Sequence, residues 1–528
     1  MSDAVHSASV DAVIVGGGHN GLAAAAYLAR EGLSVLLLER QEHLGGATVS
    51  ALAFPGVDAK LSRYSYLVSL LPQRIIDDLG LDIELVRRRY ASYTPLPGTD
   101  SGLLVDHGDA AASAASFASV RGERDATAWR EFYGRTARLA EAIWPTMTEP
   151  LPRKSDVRKA VADDHTVRDF LERPLGEVLE RTFENDLVRG VALTDALIST
   201  YADAHDSDLQ QNICFLYHVI GGGTGDWDVP VGGMGKVSAE FERVARQAGA
   251  RTRTGAEVID VRDGEVTWLE DGSEHRVRAD HVLWAAAPAV LDLIRGFDPE
   301  PVEGAQVKVN MLLDRLPELR DGVDPEAAFG GTFHINESYS QLQRAYREAQ
   351  EGRFPEPMPA EIYCHSLSDP SILGQALRAS GAQTLTVFAL HVPHRLITGT
   401  DVERNELQQR VLDSLSSVLA EPIENVILRD ADGNLCVETK TTLDLQDTLE
   451  MTAGNIFHGP LSWPFAEDDE PLDSPAQRWG VESRHEGVLL AGAGSRRGGG
   501  VSALGGYHAA RAVLESRGHV DGAASATA

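Results

Sequence analysis

The chain has 528 residues, of which 43% are hydrophobic and 24% are charged, and its formal net charge is −31 at pH 7. This length exceeds what one hydrophobic core usually organises, so we expect two domains or more. The strong negative charge argues against nucleic-acid binding and against tight adsorption to anionic membranes.

Cysteine usage and the apolar pattern narrow the class of protein further. Three cysteines lie far apart, which excludes a C-x-x-C redox motif and a zinc ribbon. The candidate histidines are widely spaced and make no metal-binding pattern, so we expect no metal site. The first ten residues lack the features of a signal peptide, and no apolar run approaches the roughly 20 residues of a membrane helix. We expect a cytoplasmic protein. The stretches 67–81 and 461–465 are candidates for weak membrane contact, with burial in the core as the alternative.

A strand–turn–helix–strand pattern opens the chain. The strand "AVIV" (12–15) runs directly into Gly16-x-Gly18-x-x-Gly21, a small-residue helix follows, and a second strand, "SVLLLE", ends in Glu39. This is the dinucleotide-binding fingerprint in its required context. The first glycine permits the tight turn, the second lets a pyrophosphate approach the backbone, and the third lets helix and strand pack closely. Glu39 would accept hydrogen bonds from ribose hydroxyls.

A glycine pair, Gly45-Gly46, follows this acid in "RQEHLGGAT" (40–48). The pair resembles the extended fingerprint of glutathione-reductase-type FAD proteins, with an ordinary loop as the alternative. We therefore predict FAD as the cofactor and an α/β fold with a glutathione-reductase-type, FAD-binding Rossmann domain. No second G-x-G-x-x-G unit follows later in the chain, so a nicotinamide site is not expected.

Two later glycine-rich segments are expected to close over the cofactor. The segment 222–288 begins with a glycine cluster and continues as an amphipathic helix, with Val237 and Phe241 on its apolar face, and three short strands. The segment 492–506 follows a strand-like run and precedes a helix from about Ser502, whose N-terminal dipole would point at the cofactor.

These observations predict a discontinuous domain organisation and a set of cofactor contacts. The predicted FAD-binding domain comprises 8–75, 225–295 and 484–517; the predicted mixed α+β substrate domain comprises 76–224 and 296–483; and 1–7 and 518–528 are expected to be disordered tails. The predicted cofactor-binding residues are Gly16, Gly18, His19, Asn20, Gly21, Glu39, Arg40, Gly45, Gly46, Ala47, Thr48, Gly233, Met234, Val258, Gly494, Gly500, Val501 and Ser502.

Six motifs, in order along the chain, resemble the phytoene-desaturase-like FAD oxidoreductases, and within them the branch named after pyridine nucleotide-disulphide oxidoreductase domain-containing protein 2. The motifs are "VIVGGGHNGLAAAAYLA", "LSRYSYLVSLLPQ", "DWDVPVGGMGKVS", "VKVNMLLDRLP", "AGNIFHGPLS" and "GAGSRRGGGVSALGGYHAA". The resemblance implies a flavin enzyme that acts on an apolar substrate. Arg496-Arg497 replaces the His-Pro usual in this family, which leaves open a phosphate, a substrate carboxylate or solvent as the arginines' partner.

Few residues are candidates for chemistry. Lys308 stands where the related amine oxidases hold a lysine near flavin N5 through a water, and we expect it to point inward, with a surface strand lysine as the alternative. His458 is a candidate acid or base, with a structural histidine as the alternative. The residues predicted to line the substrate pocket are Tyr64, Tyr66, Trp227, Asn310, Asn455 and Arg497.

Three functions fit this pattern. The first is an FAD-dependent oxidoreductase that desaturates or oxidises a largely apolar small molecule and passes the electrons to oxygen or a quinone. The second is a flavin-dependent double-bond isomerase. The third is a non-catalytic flavoprotein that acts through protein contacts. An inward-pointing Lys308 and a roomy pocket would favour catalysis, whereas a filled cavity would favour the third function.

Overall fold

The computed structural model describes residues 8–262, 264–300 and 302–518. The predicted tails, 1–7 and all but the first residue of 518–528, lie outside this part of the chain. Among the described residues, none of the helices combines the length and the apolar character needed to cross a bilayer. The two apolar stretches considered for membrane contact are mainly buried, from Leu67 to Leu81 and at Phe465, so core packing explains them.

Eighteen strands form in the described chain. They are β1 (Ala8–Val15), β2 (Val35–Leu38), β3 (Ser50–Leu52), β4 (Lys60–Ser62), β5 (Leu85–Val86), β6 (Tyr90–Pro95), β7 (Gly102–Asp106), β8 (Val229–Pro230), β9 (Arg251–Arg253), β10 (Glu257–Arg262), β11 (Glu265–Glu270), β12 (Ser273–Trp284), β13 (Gln306–Leu313), β14 (Thr332–Ile335), β15 (Ala360–Tyr363), β16 (Gln383–Leu390), β17 (Val437–Lys440) and β18 (Val488–Leu490).

Nineteen α-helices accompany them within the described residues. They are α1 (His19–Arg30), α2 (Gln73–Leu79), α3 (Ala110–Ser119), α4 (Asp125–Ile143), α5 (Lys154–Val161), α6 (Asp164–Leu171), α7 (Leu175–Thr182), α8 (Asp186–Thr194), α9 (Gln210–Ile220), α10 (Met234–Gln247), α11 (Pro288–Ile294), α12 (Pro325–Phe329), α13 (Tyr339–Gln350), α14 (His365–Ser368), α15 (Gln375–Ser380), α16 (Asp401–Ser416), α17 (Thr442–Leu449), α18 (Pro475–Trp479) and α19 (Leu504–Ser516).

The first large sheet joins strands from three separate stretches of the chain. Its order is β10-β11-β12-β1-β2-β9, and β18 pairs with β12. The pairs β1–β2, β1–β12, β2–β9 and β12–β18 are parallel. Because β1, β2 and β12 run parallel, their carboxyl ends share one edge, where Val15 is in register with Leu38 and Trp284. Ligands of open parallel sheets bind outside this edge.

The second large sheet is mixed and has the order β17-β13-β16-β15-β14-β6-β7. All its neighbouring strands are antiparallel except β14 and β6. Every residue of β13 is buried, so this strand is covered on both faces. The strands β6 and β7 lie in the predicted substrate segment 76–224, so the second sheet draws on both predicted substrate segments. We call the part of this segment from α3 to α9 the helical region.

Two helices pack on the first sheet and fix its edge. Helix α1 follows β1, and α19 lies against it at a crossing so close that a Cβ on Gly506 would stand 1.8 Å from the carbonyl oxygen of Asn20. The apolar face predicted for α10 is buried through Val237 and Phe241. These contacts hold the start of α1 and the final glycine-rich segment next to each other.

Candidate active site

One cavity of about 500 Å³ is lined by residues from both large sheets and from the final glycine-rich segment. This volume lies within the range of ordinary ligand pockets. Its walls unite the first sheet's carboxyl edge with the aromatic and charged side chains of the second sheet and of the helical region. The site therefore lies where the separate stretches of the chain meet.

The glycine fingerprint has the geometry that a bound dinucleotide requires. Gly16 has a φ of +105°, and a Cβ there would stand 3.1 Å from the carbonyl carbon of Ala285. A Cβ on Gly21 would stand 2.0 Å from the Gly16 oxygen, so only glycine lets α1 pack this closely. The Glu39 carboxylate accepts the Gly17 N–H at 2.7 Å and lines the cavity. The acid is thus held where it can meet a ribose.

The polar atoms around α1 show that this wall fits a phosphate-bearing cofactor. The helix begins after Gly18 without a side-chain cap, which leaves its first N–H groups available to an anion. His19 Nε2 and Asn20 Oδ1 are buried and have no hydrogen-bond partner in the described structure. Unpaired buried polar atoms cost free energy, and a bound cofactor would supply their partners.

Most predicted cofactor residues line this cavity and some do not. Those that line it are Gly16, Gly18, His19, Asn20, Glu39, Arg40, Gly46, Ala47, Thr48, Val258, Gly500 and Val501. The others, which lie behind the wall, are Gly21, Gly45, Gly233, Met234, Gly494 and Ser502. They support the cradle indirectly: Gly233, for example, caps α10 with a φ of +76°.

The final glycine-rich segment corrects one expectation. Gly500 and Val501 line the cavity, as does Ala493, but most glycines here face protein rather than ligand. A Cβ on Gly498 would stand 2.0 Å from the Gly492 oxygen, and one on Gly494 would stand 2.5 Å from the Pro288 ring. The glycine richness therefore reflects close packing of backbone on backbone more than contact with a cofactor.

Lys308 points inward from β13 and lines the cavity. Its ammonium donates to the carbonyl oxygens of Ser62 at 2.9 Å and Tyr64 at 2.8 Å, and it lies 5.2 Å from the centre of the Tyr66 ring. Burial of the ammonium lowers the pKa of Lys308 to about 7. This lysine is therefore held rigidly beside the cavity and can change protonation near neutral pH.

His458 lines the cavity in a backbone conformation unusual for a residue with a side chain, with a φ of +62°. Its Nδ1 is buried and has no partner among the described residues. Burial lowers the pKa of His458 to about 4, so the ring is neutral at pH 7. A strained, partly unpaired histidine at a cavity is a feature of functional sites.

Aromatic rings form the wall beside Lys308. The Tyr66 ring lies 4.7 Å from that of Tyr363 and 5.9 Å from that of Phe388, and all three line the cavity. The predicted pocket residues Tyr64 and Trp227 line it as well. Such rings exclude water and favour an apolar ligand.

Several other residues of the wall carry no signal in the sequence. Tyr363 and Phe388 lie on separate strands, Arg88 lies between β5 and β6, and Asp195 follows α8, all outside any motif. Only the tertiary fold brings them together. An acid directly after a short helix such as α8, which Asp195 follows, is too common in sequences to be singled out.

Three predicted pocket residues do not line the cavity, and these assignments are corrected. Asn310 accepts the Thr386 hydroxyl inside the second sheet, and Asn455 donates to the Val302 oxygen. Arg497 is 1% exposed and donates to the carbonyl oxygens of Thr146 and Glu149, both at 2.9 Å. Burial lowers its pKa to about 9. Its neighbour Arg496 pairs with Glu470, so the arginine pair holds protein segments together.

A family model described as flavin-containing amine oxidoreductase matches residues 71–514, and one described as an NAD(P)-binding Rossmann-like domain matches residues 14–71. The chain belongs to the flavin-containing amine oxidoreductase family. It is an FAD-dependent oxidoreductase of mixed α/β fold with a Rossmann-like, FAD-binding domain, which confirms the predicted cofactor and enzyme class.

Individual relatives agree with this assignment. An uncharacterised protein of Mycobacterium tuberculosis is 52% identical, over 97% of this chain and 98% of that protein. The mouse pyridine nucleotide-disulfide oxidoreductase domain-containing protein 2 is 28% identical over 96% and 93%, and the hydroxyneurosporene desaturase of Cereibacter sphaeroides is 27% identical over 53% and 56%. The resemblance inferred from the six motifs is thereby confirmed.

A solved structure of putrescine oxidase superposes with a TM-score of 0.57, at 18% identity, and covers 97% of this chain and 99% of that one. This likeness shows that the flavin amine oxidase fold extends over nearly the whole chain. The cavity described above is accordingly the active-site candidate of a flavin oxidoreductase.

Proposed function

We propose that this flavin oxidoreductase desaturates or oxidises a largely apolar small molecule by hydride transfer to flavin N5, with the electrons passed on to oxygen or a quinone. The observation that carries the proposal is a cavity in which the glycine fingerprint, Lys308 and the aromatic wall of Tyr66, Tyr363 and Phe388 share one space. The similarity to a desaturase supports removal of hydrogen from an apolar chain.

FAD, when bound, supplies the two-electron acceptor, and the protein supplies position and proton control. The aromatic wall would orient an apolar substrate and exclude water. Lys308, anchored on two backbone carbonyls, would hold a proton or a water at a fixed place. Neutral His458 would act as a fixed polar group beside the cofactor rather than as a strong base, because burial lowers its pKa to about 4.

We also infer the finer organisation of the fold. The FAD-binding domain is of the glutathione-reductase type and comprises 8–75, 225–295 and 484–517, and the substrate domain comprises 76–224 and 296–483. The strand content supports this division, because every strand of the first sheet falls in the first set of segments. The Gly45-Gly46 pair supports the subtype, since a Cβ on Gly46 would stand 3.1 Å from the Gly18 Cα.

The proposal is tested by anaerobic reduction of the FAD-loaded protein with a panel of apolar alkenes and alcohols. We expect at least one of them to bleach the visible flavin band, and air or a quinone to restore it. NADH and NADPH serve as controls and should bleach the band slowly, since only one dinucleotide fingerprint is present. Rapid bleaching by NAD(P)H would instead favour the isomerase, which needs reduced flavin.

A further inference from the structure

One part of the cavity wall is charged rather than apolar. We call Arg88, Asp195, His218 and Trp227 the polar end of the cavity, because all four line it and contact one another or the same neighbours. The His218 and Trp227 rings stack with their centres 4.9 Å apart, and the Trp227 indole N–H donates to the His218 oxygen at 3.1 Å. This part of the wall is therefore rigid.

Asp195 presents an unpaired carboxyl group to the cavity. Its backbone is fixed at the end of α8, where the Cys214 thiol donates to the Asp195 oxygen at 3.5 Å. In the described structure its side chain has no hydrogen bond and no ion pair. Burial raises the pKa of Asp195 to about 7, and the charge of Arg88 opposes this rise only in part. A polar group held this way lacks a partner that a ligand can provide.

Arg88 presents the complementary donor. Its Nε donates to the Trp227 oxygen and its Nη1 to the Thr332 hydroxyl, both at 3.1 Å, while its Nη2 has no hydrogen bond among the described residues. The guanidinium also lies 5.7 Å from the centre of the Tyr363 ring. Arg88 and Asp195 attract each other, yet no Arg88 nitrogen comes within the 4.0 Å of an ion pair. A gap therefore separates the Arg88 guanidinium, which two hydrogen bonds hold, from the unpaired Asp195 carboxyl group.

The surrounding charges decide which group suits this gap. Glu361 lies nearby and accepts hydrogen bonds from the Tyr363 and Thr194 hydroxyls. The charge of Asp195 acts on Glu361, and the charge of Glu361 acts on the buried Glu337. The pKa values of Asp195 and Glu361 are both raised to about 7, so these two carboxyl groups are partly ionised at pH 7 and would repel an anion. Arg88 would repel a cation in the same confined space. A neutral group that both donates and accepts hydrogen bonds can pair with Asp195 and with Arg88 at once. It brings no further charge into the cavity and leaves neither buried group without a partner.

We propose that Arg88 and Asp195 bind the hydroxyl head group of a substrate whose remaining body is apolar. The hydroxyl donates to the Asp195 carboxylate and accepts from Arg88, while the body lies along Tyr66, Tyr363 and Phe388. This inference rests on the proposed function, because it names the class of substrate that the same cavity takes. It makes Asp195 and Arg88 specificity-determining residues rather than catalytic ones.

Binding to the oxidised, FAD-loaded protein tests the inference without turnover. The probes are decan-1-ol, 1-methoxynonane and undecane, which have equal numbers of heavy atoms, together with decylamine and decanoate. Affinity is read by calorimetry and by perturbation of the flavin spectrum. We expect the affinity for decan-1-ol to be at least about 10-fold higher than that for the ether or the alkane. Neither of these two can donate a hydrogen bond to the Asp195 carboxylate.

The variant Asp195→Leu keeps the size of the side chain and removes its acceptor. We expect it to abolish the preference for the alcohol and to bind undecane more tightly than the wild type does, a gain that a misfolded protein could not show. The same change at Asp208, an exposed residue of the same region, is the matched control and should leave the preference intact.

Other outcomes overturn the inference. Equal binding of alcohol and ether would show that no head group is recognised, tightest binding of decylamine or decanoate would show that the site takes an ion, and no binding of any probe would exclude this substrate class. All of these binding outcomes are measured in oxidised protein. Failure of the proposed function is measured separately, as an FAD-loaded protein whose flavin none of the apolar compounds reduces.

Discussion

At the scale of single residues, buried polar groups that lack an opposite charge or a hydrogen-bond partner mark the site. Lys308 is 5% exposed and depends on main-chain carbonyls for its partners, while His19 and His458 keep unpaired ring nitrogens. Burial lowers the pKa of His19 to about 4, so it too is neutral at pH 7. Such buried polar groups lower the stability of the fold, and proteins retain them mainly at ligand-binding cavities.

Lys308 makes stability depend on pH in a direction that can be checked. Its pKa falls from 10.5 to about 7 on folding, so between these values the unfolded chain binds one more proton than the folded one. The stability of the wild type relative to Lys308→Met should therefore rise as pH increases from about 7 to 10, by at most about 1.4 kcal/mol per pH unit.

The measurement is urea unfolding of both proteins across this range, with Lys159→Met as the control, because that side chain is 75% exposed. A difference between the wild type and Lys308→Met that stays flat with pH, or falls, would show that the ammonium is not buried as described.

At the scale of elements, the contact between α1 and α19 holds the two glycine-rich walls of the cavity together. Gly506 lies at the crossing, where a Cβ would overlap the Asn20 oxygen, and Asn20 also donates from its side chain to the Gly498 oxygen at 3.3 Å. The last helix thus positions Gly500 and Val501 against the start of the first helix.

The variant Gly506→Ala should separate these helices. We expect it to lower the free energy of unfolding by about 1–3 kcal/mol, as overpacking does, and to weaken FAD binding. Gly134→Ala, on the exposed side of α4 with no atom near its Cβ position, is the matched control and should stabilise the protein by up to about 1 kcal/mol. Thermal unfolding and FAD titration distinguish the two; similar behaviour of both variants would contradict the close crossing.

Some elements could be predicted from sequence because local rules decide them. The fingerprint around Gly16 to Glu39 and the three strands β10 to β12 form as expected, since turn geometry and alternation act over short distances. The partners of Arg497 could not be foreseen, because they lie about 350 residues away in sequence. The same holds for Asp195, whose role depends on what faces it across the cavity.

At the scale of the whole molecule, three distant stretches build one sheet, and a second sheet closes over its edge. The Ala491 N–H donates to the Trp284 oxygen and the Ala285 N–H to the Val15 oxygen, both at 2.7 Å, which ties the three stretches together at the cavity. A cofactor bound at this junction would contact all three stretches, so its binding should stabilise the entire fold by mass action.

The most direct test of the account is the flavin content and visible spectrum of the purified full-length protein, before and after incubation with FAD. The account predicts one FAD per chain, a rise in the thermal midpoint with added FAD, and bleaching of the visible band by dithionite. Protein that binds no flavin even after incubation with FAD, while it is folded by circular dichroism, would contradict the assignment of the cavity and every proposal built on it.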